Sequence, residues 1–482
     1  MTVLVVGGGI TGLTTAYALG RAGVPTLLVE ASDRLGGKVR TDRIDGFLVE
    51  SGPDSFISYR PAGMELCREL GLADAIIRPT EPRTVSIRIG ERFVRLPDGM
   101  GLVLPTRLRP FVTTRLFSPR EKARMGLDLI LPRRLDGGDV AVGSFLRRRL
   151  GGALVDRLAG PLIGGVYGTP IDELSLDAVV PTLRDAERDH RSLLLASLAQ
   201  GRDRRRAGTP PGSPFVSLTE GTGQLVAALE RSIRASDAIA VRTGVRVDAI
   251  ERSGGRWAAT LGGGERVIVD GLALATPAGV AADLVESLSP AASSRLRTIP
   301  HGSTGVTTLG YRIDDLPAPL VGHGFLVADG EPLSISACTW TSNKWPGRAP
   351  DGMVLLRAFL GARAGLLARP DTEIVAAVRQ DLMSTMGIRS KPVLARVSRF
   401  PGQMPHYTVG HLDRVAAATQ ALDALPGIVV AGAAHHGVGL PDCIAQGRGA
   451  AERLRLHLAG GSPADAVRTV RPVPPARPVA AG

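Results

Sequence analysis

The residues whose spacing carries the most chemistry lie near the amino terminus, at Gly7, Gly8, Gly9, Ile10, Thr11 and Gly12. They satisfy G-x-G-x-x-G, a pattern that brings backbone close to a diphosphate. Gly7 permits a tight turn, Gly9 removes the side chain that would block the phosphates, and Gly12 lets a helix pack closely on a strand. Alone the run is weak evidence in a chain with 60 glycines. A carboxylate strengthens it: Glu30 stands 18 residues after Gly12, where it can bind the ribose hydroxyls of an adenine dinucleotide. Its charge would repel a 2′-phosphate.

These groups act together only if the chain folds to position them. The hydrophobic runs predict a buried strand over residues 2–6, a helix over 11–22 and a strand over 26–30, a βαβ start. The glycines then occupy the first turn. Phosphates would lie against the helix N-terminus, where unpaired N–H groups and the helix dipole favour negative charge.

Further along, residues 96–198 are helical in texture, and 201–214 reads as an exposed loop, first charged and then rich in Pro and Gly. Residues 215–229 predict strand, turn and helix, with strands at 238–250 and 257–261. Short strands and helices alternate over 303–399. A buried strand at 427–431 leads into a glycine-rich turn and a helix over 445–458. The tail, 460–482, has five prolines and predicts disorder.

Bulk properties narrow the class. At 482 residues the chain exceeds one core, and a hydrophobic share of 44% can fill more than one. The net charge of +12 attracts anions, but the basic residues are scattered and match no nucleic-acid module, so nucleic acid is not an expected partner. Cys67, Cys338 and Cys443 are far apart, which argues against disulfides and structural zinc and for a reducing, cytoplasmic setting. Residues 3–24 are apolar yet lack a basic leader and are broken by glycines, unlike a signal peptide. No run of about 18 apolar residues suggests a membrane span. Peripheral membrane contact through the Leu/Arg-rich middle stays open. The pair His435-His436 has no third ligand nearby, so no metal site is expected; it is read as structural or adjacent to the cofactor, and His406 has no assigned role.

Residues 31–41 (ASDRLGGKVRT) resemble the R-x-G-G-[RK] continuation of a flavoprotein group that includes amine oxidases, phytoene desaturases and porphyrinogen oxidases. That resemblance implies FAD rather than NAD, with Ala31, Arg34, Gly36, Gly37 and Lys38 along its diphosphate and ribityl chain. Residues 50–56 (ESGPDSF), 165–168 (GVYG), 172–175 (DELS), 339–346 (TWTSNKWP), 404–411 (MPHYTVGH) and 437–444 (GVGLPDCI) are similar to bacterial porphyrinogen oxidases of haem synthesis. The similarity covers nearly the whole chain. It implies further FAD contacts at Gly52, Pro53, Asp54, Ser55, Val247, Val438, Gly439 and Leu440. It implies a substrate site at Arg60, Tyr167, Lys344 and Tyr407, a wide apolar pocket with cations for propionates. The family usually has other residues at 435–436 and Gln at 406.

The implied fold is α/β: a Rossmann-type FAD-binding domain of the amine oxidase/porphyrinogen oxidase kind, interleaved with a mixed-sheet substrate domain and a mainly helical region. Residues 1–95, 215–276 and 411–459 would build the FAD-binding part, 96–205 the helical region and 277–410 the substrate sheet. The implied reaction is oxygen-dependent oxidation of coproporphyrinogen III to coproporphyrin III with release of hydrogen peroxide; relatives act on protoporphyrinogen IX. No catalytic side chain is nominated, since FAD carries the chemistry and the protein orients the substrate. Contacts with other haem-pathway enzymes stay open. The rivals are an amine oxidase, which should place aromatics at the flavin, a carotenoid desaturase with a different C-terminal signature, and a non-catalytic protein of the same fold.

Overall fold

A computed structural model of the chain describes residues 1–133, 137–206, 213–361 and 365–460. Its first sheet has five parallel strands. β1 (Val3–Val6), α1 (Ile10–Arg21) and β2 (Thr26–Glu30) form the opening βαβ unit, and β3 (Ile239–Thr243), β4 (Gly271–Leu274) and β5 (Ile428–Val430) complete the sheet in the order β3-β2-β1-β4-β5. The sequence VLVV of β1 is buried throughout, as a central strand covered on both faces requires. Its side chains alternate. Val3 and Val5 join a core with Leu13, Leu28, Leu229 and Ile444, while Leu4 and Val6 join a second core with Leu272, Leu296 and Val415.

The first core lies under α1, the helix Gly223–Arg234 and the last helix, α2 (Leu440–Leu458). The second lies under an antiparallel meander of Val247–Ser253, Arg256–Leu261 and Arg266–Val269. The helices Ala278–Val285, Pro290–Arg297 and His411–Leu422 pack there too. Sequence boundaries placed the first two of these with the substrate sheet; their apolar faces instead cover the cofactor sheet.

The second large sheet has seven strands, in the order Leu394–Pro405, His301–Arg312, Met353–Leu360, Ile335–Trp340, Gly324–Val327, Val85–Ile89 and Arg92–Arg95. Only the pairing of Gly324–Val327 with Val85–Ile89 is parallel. The hairpin Val85–Arg95, expected with the cofactor part, is therefore an edge of this sheet. The described residues between 108 and 206 are mainly helical and include a π-helix, Val155–Gly164, that contains Pro161. Part of the arginine richness here is internal. Arg149 is fully buried and bonds the Asp128 carboxylate at 2.6 Å and Glu187 at 3.3 Å.

Two expected boundaries move. The helix Leu193–Arg206 runs through the first six residues of the expected loop at 201–214, where four arginines favour helix over coil; residues 207–212 lie outside the described ones. The helix expected at 445 begins at Leu440, with Pro441 in its first turn. The expected disordered tail lies outside the described residues beyond Gly460. Among the described residues no helix is long and apolar enough to cross a membrane.

Candidate active site

The carboxyl ends of β1 and β2 open onto the glycine turn. Gly7 takes a left-handed φ of 102°, and a Cβ at Gly12 would overlap the Gly7 carbonyl, so strand and helix meet at the distance only glycine permits. Gly9 caps α1 without any side-chain hydrogen bond, and a Cβ there would meet no atom within 4 Å. Open space therefore faces unpaired N–H groups at the start of a helix. The Glu30 carboxylate accepts from Gly8 N–H at 2.6 Å and from the Ser32 N–H and hydroxyl at 2.8 and 2.7 Å. This fixes its orientation while lone pairs remain for a ribose. Ala31 follows it on the exposed rim.

The strand-to-loop segment after Ala31 closes the other wall. Gly36 N–H donates to Gly8 O at 2.8 Å, and a Cβ at Gly37 would lie 3.2 Å from the Gly9 Cα. Arg34 holds this loop by donating to the Leu35 and Gly37 carbonyls. A Cβ at Gly52 would overlap the Lys38 carbonyl, so the 50–56 turn lies directly against the glycine loop. Burial lowers the pKa of the Lys38 ammonium. Val247 is a core residue of the second cluster, and Val245 just before it donates to the Glu30 carbonyl.

α2 supplies a second helix N-terminus. Gly439 caps it, again without a side-chain hydrogen bond, and Val438, Gly439 and Leu440 stand at its mouth. The two helices cross where Gly447 meets α1: a Cβ there would come within 2.5 Å of Thr11 O, and the Thr15 hydroxyl donates to Gly447 O at 3.1 Å. The crossing draws two uncapped N-termini to one cleft. Unpaired N–H groups at such N-termini suit an anionic group.

Asp54 is where the cleft meets the seven-stranded sheet. Its carboxylate accepts from Lys344 Nζ at 3.2 Å, Trp345 Nε1 at 3.1 Å and the Ser55 hydroxyl at 2.8 Å, with Arg357 at 3.9 Å. Burial would raise its pKa, but Lys344 and Arg357 outweigh that and hold the acid well below the usual range. Arg357 also donates to the Gly52 carbonyl, and the Thr222 hydroxyl donates to Pro53 O at 2.7 Å. Lys344, expected as a substrate cation, is thus engaged as the partner of Asp54. Trp345 and Arg357 were not anticipated; the TWTSNKWP motif pointed to the first, and no sequence signal to the second.

The other expected substrate residues do converge. Arg60 caps the helix Pro61–Glu69 and pairs with Asp442 in the first turn of α2. Tyr167 follows the π-helix, half-buried, and burial pushes its phenol up to about 12 against the pull of nearby Arg60. Its ring lies 5.7 Å from that of Tyr407, which stacks on His411 at 3.8 Å. Tyr407 itself is buried. Its hydroxyl donates to Ala433 O and accepts from Gly437 N–H, each at 2.7 Å. It therefore braces the turn leading to Val438 instead of presenting its hydroxyl to a ligand. His411 bonds the His435 carbonyl through Nε2 at 2.9 Å. His406 packs over Gly302.

Comparison with known proteins shows the family. The profile of the family described as flavin containing amine oxidoreductase matches residues 10–455. The chain is 44% identical to a coproporphyrinogen III oxidase of Propionibacterium freudenreichii subsp. freudenreichii, covering 94% of this chain and 90% of that protein. It is 34% identical to the coproporphyrinogen III oxidase of Bacillus subtilis (strain 168), over 95% and 98% of the two chains. Among solved structures, a candidate protoporphyrinogen oxidase from Exiguobacterium sp. 255-15 superposes with a TM-score of 0.83 at 33% identity, covering 95% of this chain and 99% of that one. A putrescine oxidase variant, at 16% identity and a TM-score of 0.66, shares the fold.

Proposed function

The chain belongs to the flavin containing amine oxidoreductase family, in its porphyrinogen oxidase branch, and from that membership we propose that it oxidises coproporphyrinogen III to coproporphyrin III with FAD and molecular oxygen. The observation that carries the reading is the 44% identity to a coproporphyrinogen III oxidase over nearly the full length of both chains. The two uncapped helix N-termini and the Glu30 carboxylate support FAD as the flavin, since a mononucleotide would leave the ribose and first-turn sites unused.

Bound FAD supplies a two-electron acceptor that oxygen can recharge, with peroxide as the by-product. The protein's share is placement. The N-termini of α1 and α2 hold the diphosphate and ring system. Glu30 holds the ribose, and Arg34, Gly36, Gly37 and Lys38 line the connecting chain. Arg60, with its Asp442 partner, is a cation whose charge acts on Tyr167, and we assign it to a substrate propionate. Tyr167 borders the macrocycle, while Tyr407 keeps the 433–437 turn in position for it. Removing six hydrogens creates an aromatic ring, so the drive is ample and near-attack geometry sets the rate. Three buried, unpaired cysteines suit a cytoplasmic enzyme.

The test is direct. Purified protein is checked for released FAD, then mixed in air with coproporphyrinogen III or protoporphyrinogen IX while porphyrin fluorescence is followed. Faster fluorescence growth with the four-propionate substrate, with three peroxides per porphyrin, is the expected result. A preference for protoporphyrinogen overturns the substrate assignment, and bound flavin with no turnover of either overturns the reaction.

A further inference from the structure

Asp442 stands in the first turn of α2, and among the described residues its carboxylate bonds Arg60 and no backbone N–H. The fold gives that acid its place. Gly437 takes a left-handed φ of 106°, and a Cβ there would lie 2.6 Å from the Asp442 carboxyl; one at Gly439 would lie 3.0 Å from its Oδ2. The carboxylate therefore rests on the bare backbone of the turn that Tyr407 braces. Arg60 reaches it from a second helix. That helix, Pro61–Glu69, packs on α2 where a Cβ at Gly63 would be 3.2 Å from Pro441, and Arg448 of α2 pairs with Glu65 at 3.0 Å and Glu69 at 2.8 Å. These contacts hold the two helices together without help from the Arg60–Asp442 pair.

The pair is one-sided. Asp442 accepts from Nη1 of Arg60, while Nε, on the opposite edge of the planar guanidinium, is buried with no partner, and Nη2 beside it bonds nothing among the described residues. An unpaired buried donor is costly, so this edge calls for an acceptor that the protein does not itself supply. It is also an edge that can meet a carboxylate through two parallel hydrogen bonds. We propose that Asp442 is a positioning residue: by holding Nη1 it turns the other edge of Arg60 toward the substrate and sets where one propionate docks. The inference rests on the porphyrinogen oxidase reading, in which Arg60 takes a propionate. An untethered arginine side chain would lose rotamer freedom at each binding event; one already held by Asp442 loses far less.

Asp442 has a second effect, of opposite sign. Its charge sits on the same guanidinium as the propionate and repels it. Two variants separate orientation from charge. Asp442→Asn keeps an acceptor for Nη1 and removes the charge, whereas Asp442→Ala removes both. Were repulsion the larger effect, both variants would bind the substrate more tightly. With orientation the larger, as the one-sided contact implies, only Asp442→Ala loses affinity. The propionates are remote from the bridging carbons that react, so the loss falls on KM and leaves kcat in place.

Coproporphyrin III, the stable product with the same four propionates, is titrated into flavin-loaded protein while its fluorescence is followed, and KM and kcat for coproporphyrinogen III are measured beside it. Asp442→Ala should bind about tenfold more weakly, the low end for a hydrogen bond to a charged group, with KM raised to match. Asp442→Asn should recover most of that affinity. Melting temperature and flavin content should not change, since the helix seam persists. In an Arg60→Met background Asp442→Ala should cost nothing further, because the acid acts through Arg60 alone. A penalty that persists in that background overturns the proposal. So does unchanged or tighter binding by Asp442→Ala, or a loss of its flavin, which would assign the acid to the turn itself. With a wild type that turns over coproporphyrinogen III, those results leave the enzyme reading intact. A wild type that holds flavin but oxidises no porphyrinogen overturns that reading, and this proposal with it.

Discussion

Tyr407 shows how one side chain can set a site without touching what binds there. Its hydroxyl satisfies the Gly437 N–H and the Ala433 carbonyl together, inside a ring stack with Tyr167 and His411. Tyr407→Phe keeps the stack but leaves a buried N–H unpaired, which costs about 1–3 kcal/mol. The expected outcome is a lower Tm and a lower flavin-to-protein ratio on purification, with substrate affinity of the flavin-loaded fraction preserved. The histidines beside it set an acid limit. Burial holds His411 down to about 4 and His435 down to about 3, the latter helped by His436 and His411. Both are neutral in the fold at pH values where an unfolded histidine, near 6.5, is charged. The unfolded chain then binds more protons, so stability is complete above about 6.5 and falls as pH drops toward 4. Thermal melts at pH 7 and pH 5 should differ, and His411→Gln should narrow the difference. The motif MPHYTVGH made these residues visible in the sequence. Their roles were not, because the partners at 433–437 lie far along the chain and face them only once β5 is in place.

The pairing of α1 with α2 decides where two helix N-termini point. The first was legible because its determinants are local: an apolar strand, G-x-G-x-x-G, a periodic helix and a second strand ending in Glu30. α2 was placed five residues late, since Pro441 in a glycine-rich stretch reads as a turn although proline suits the first turn of a helix. The contact between the helices was not legible at all. It depends on Gly447, an unremarked helix glycine, approaching Thr11 and Thr14. Gly447→Ala raises helix propensity, so an isolated helix would gain stability. In the protein the added methyl would meet Thr11 O at 2.5 Å and Thr14 Cβ at 2.9 Å, and overpacking of this kind costs about 1–3 kcal/mol. A stabilised fold would show propensity winning. The expected result is the reverse, a lower Tm and at least tenfold weaker flavin binding by fluorescence titration, because the strain separates both N-termini from their shared cleft.

Across the molecule, two sheets must hold one cleft between them, and the contact that does so lies at Asp54. The strands Val3–Val6, Thr26–Glu30 and Ile428–Val430 of the cofactor sheet could be read from the sequence as short apolar runs, but its outer strand Ile239–Thr243 could not, since residues 238–250 read as one strand and the fold divides them between this sheet and the meander. The seven-stranded sheet could be read only as alternating strands. Its order depends on pairing residues 85–95 with 324–327, and 301–312 with both 353–360 and 394–405, and no local pattern encodes such distant partners. Asp54 was read as a cofactor contact and Lys344 as a substrate contact. The fold joins them, with Arg357 and Trp345, into a buried link between the 50–56 turn and the seven-stranded sheet. Removing one member of such a link leaves the others charged and uncompensated, which typically costs 3–5 kcal/mol, roughly, far more than the link adds over an apolar replacement. Asp54→Asn should therefore unfold at markedly lower denaturant and lose flavin. Lys344→Met in the same chain removes one of the stranded cations and should recover part of the stability. If Lys344 instead served mainly to bind a propionate, the two substitutions would add: Lys344→Met would weaken substrate binding without repairing Asp54→Asn. A double-mutant cycle read by denaturant unfolding and by coproporphyrinogen affinity separates the two, and the 3.2 Å contact predicts strong coupling in stability.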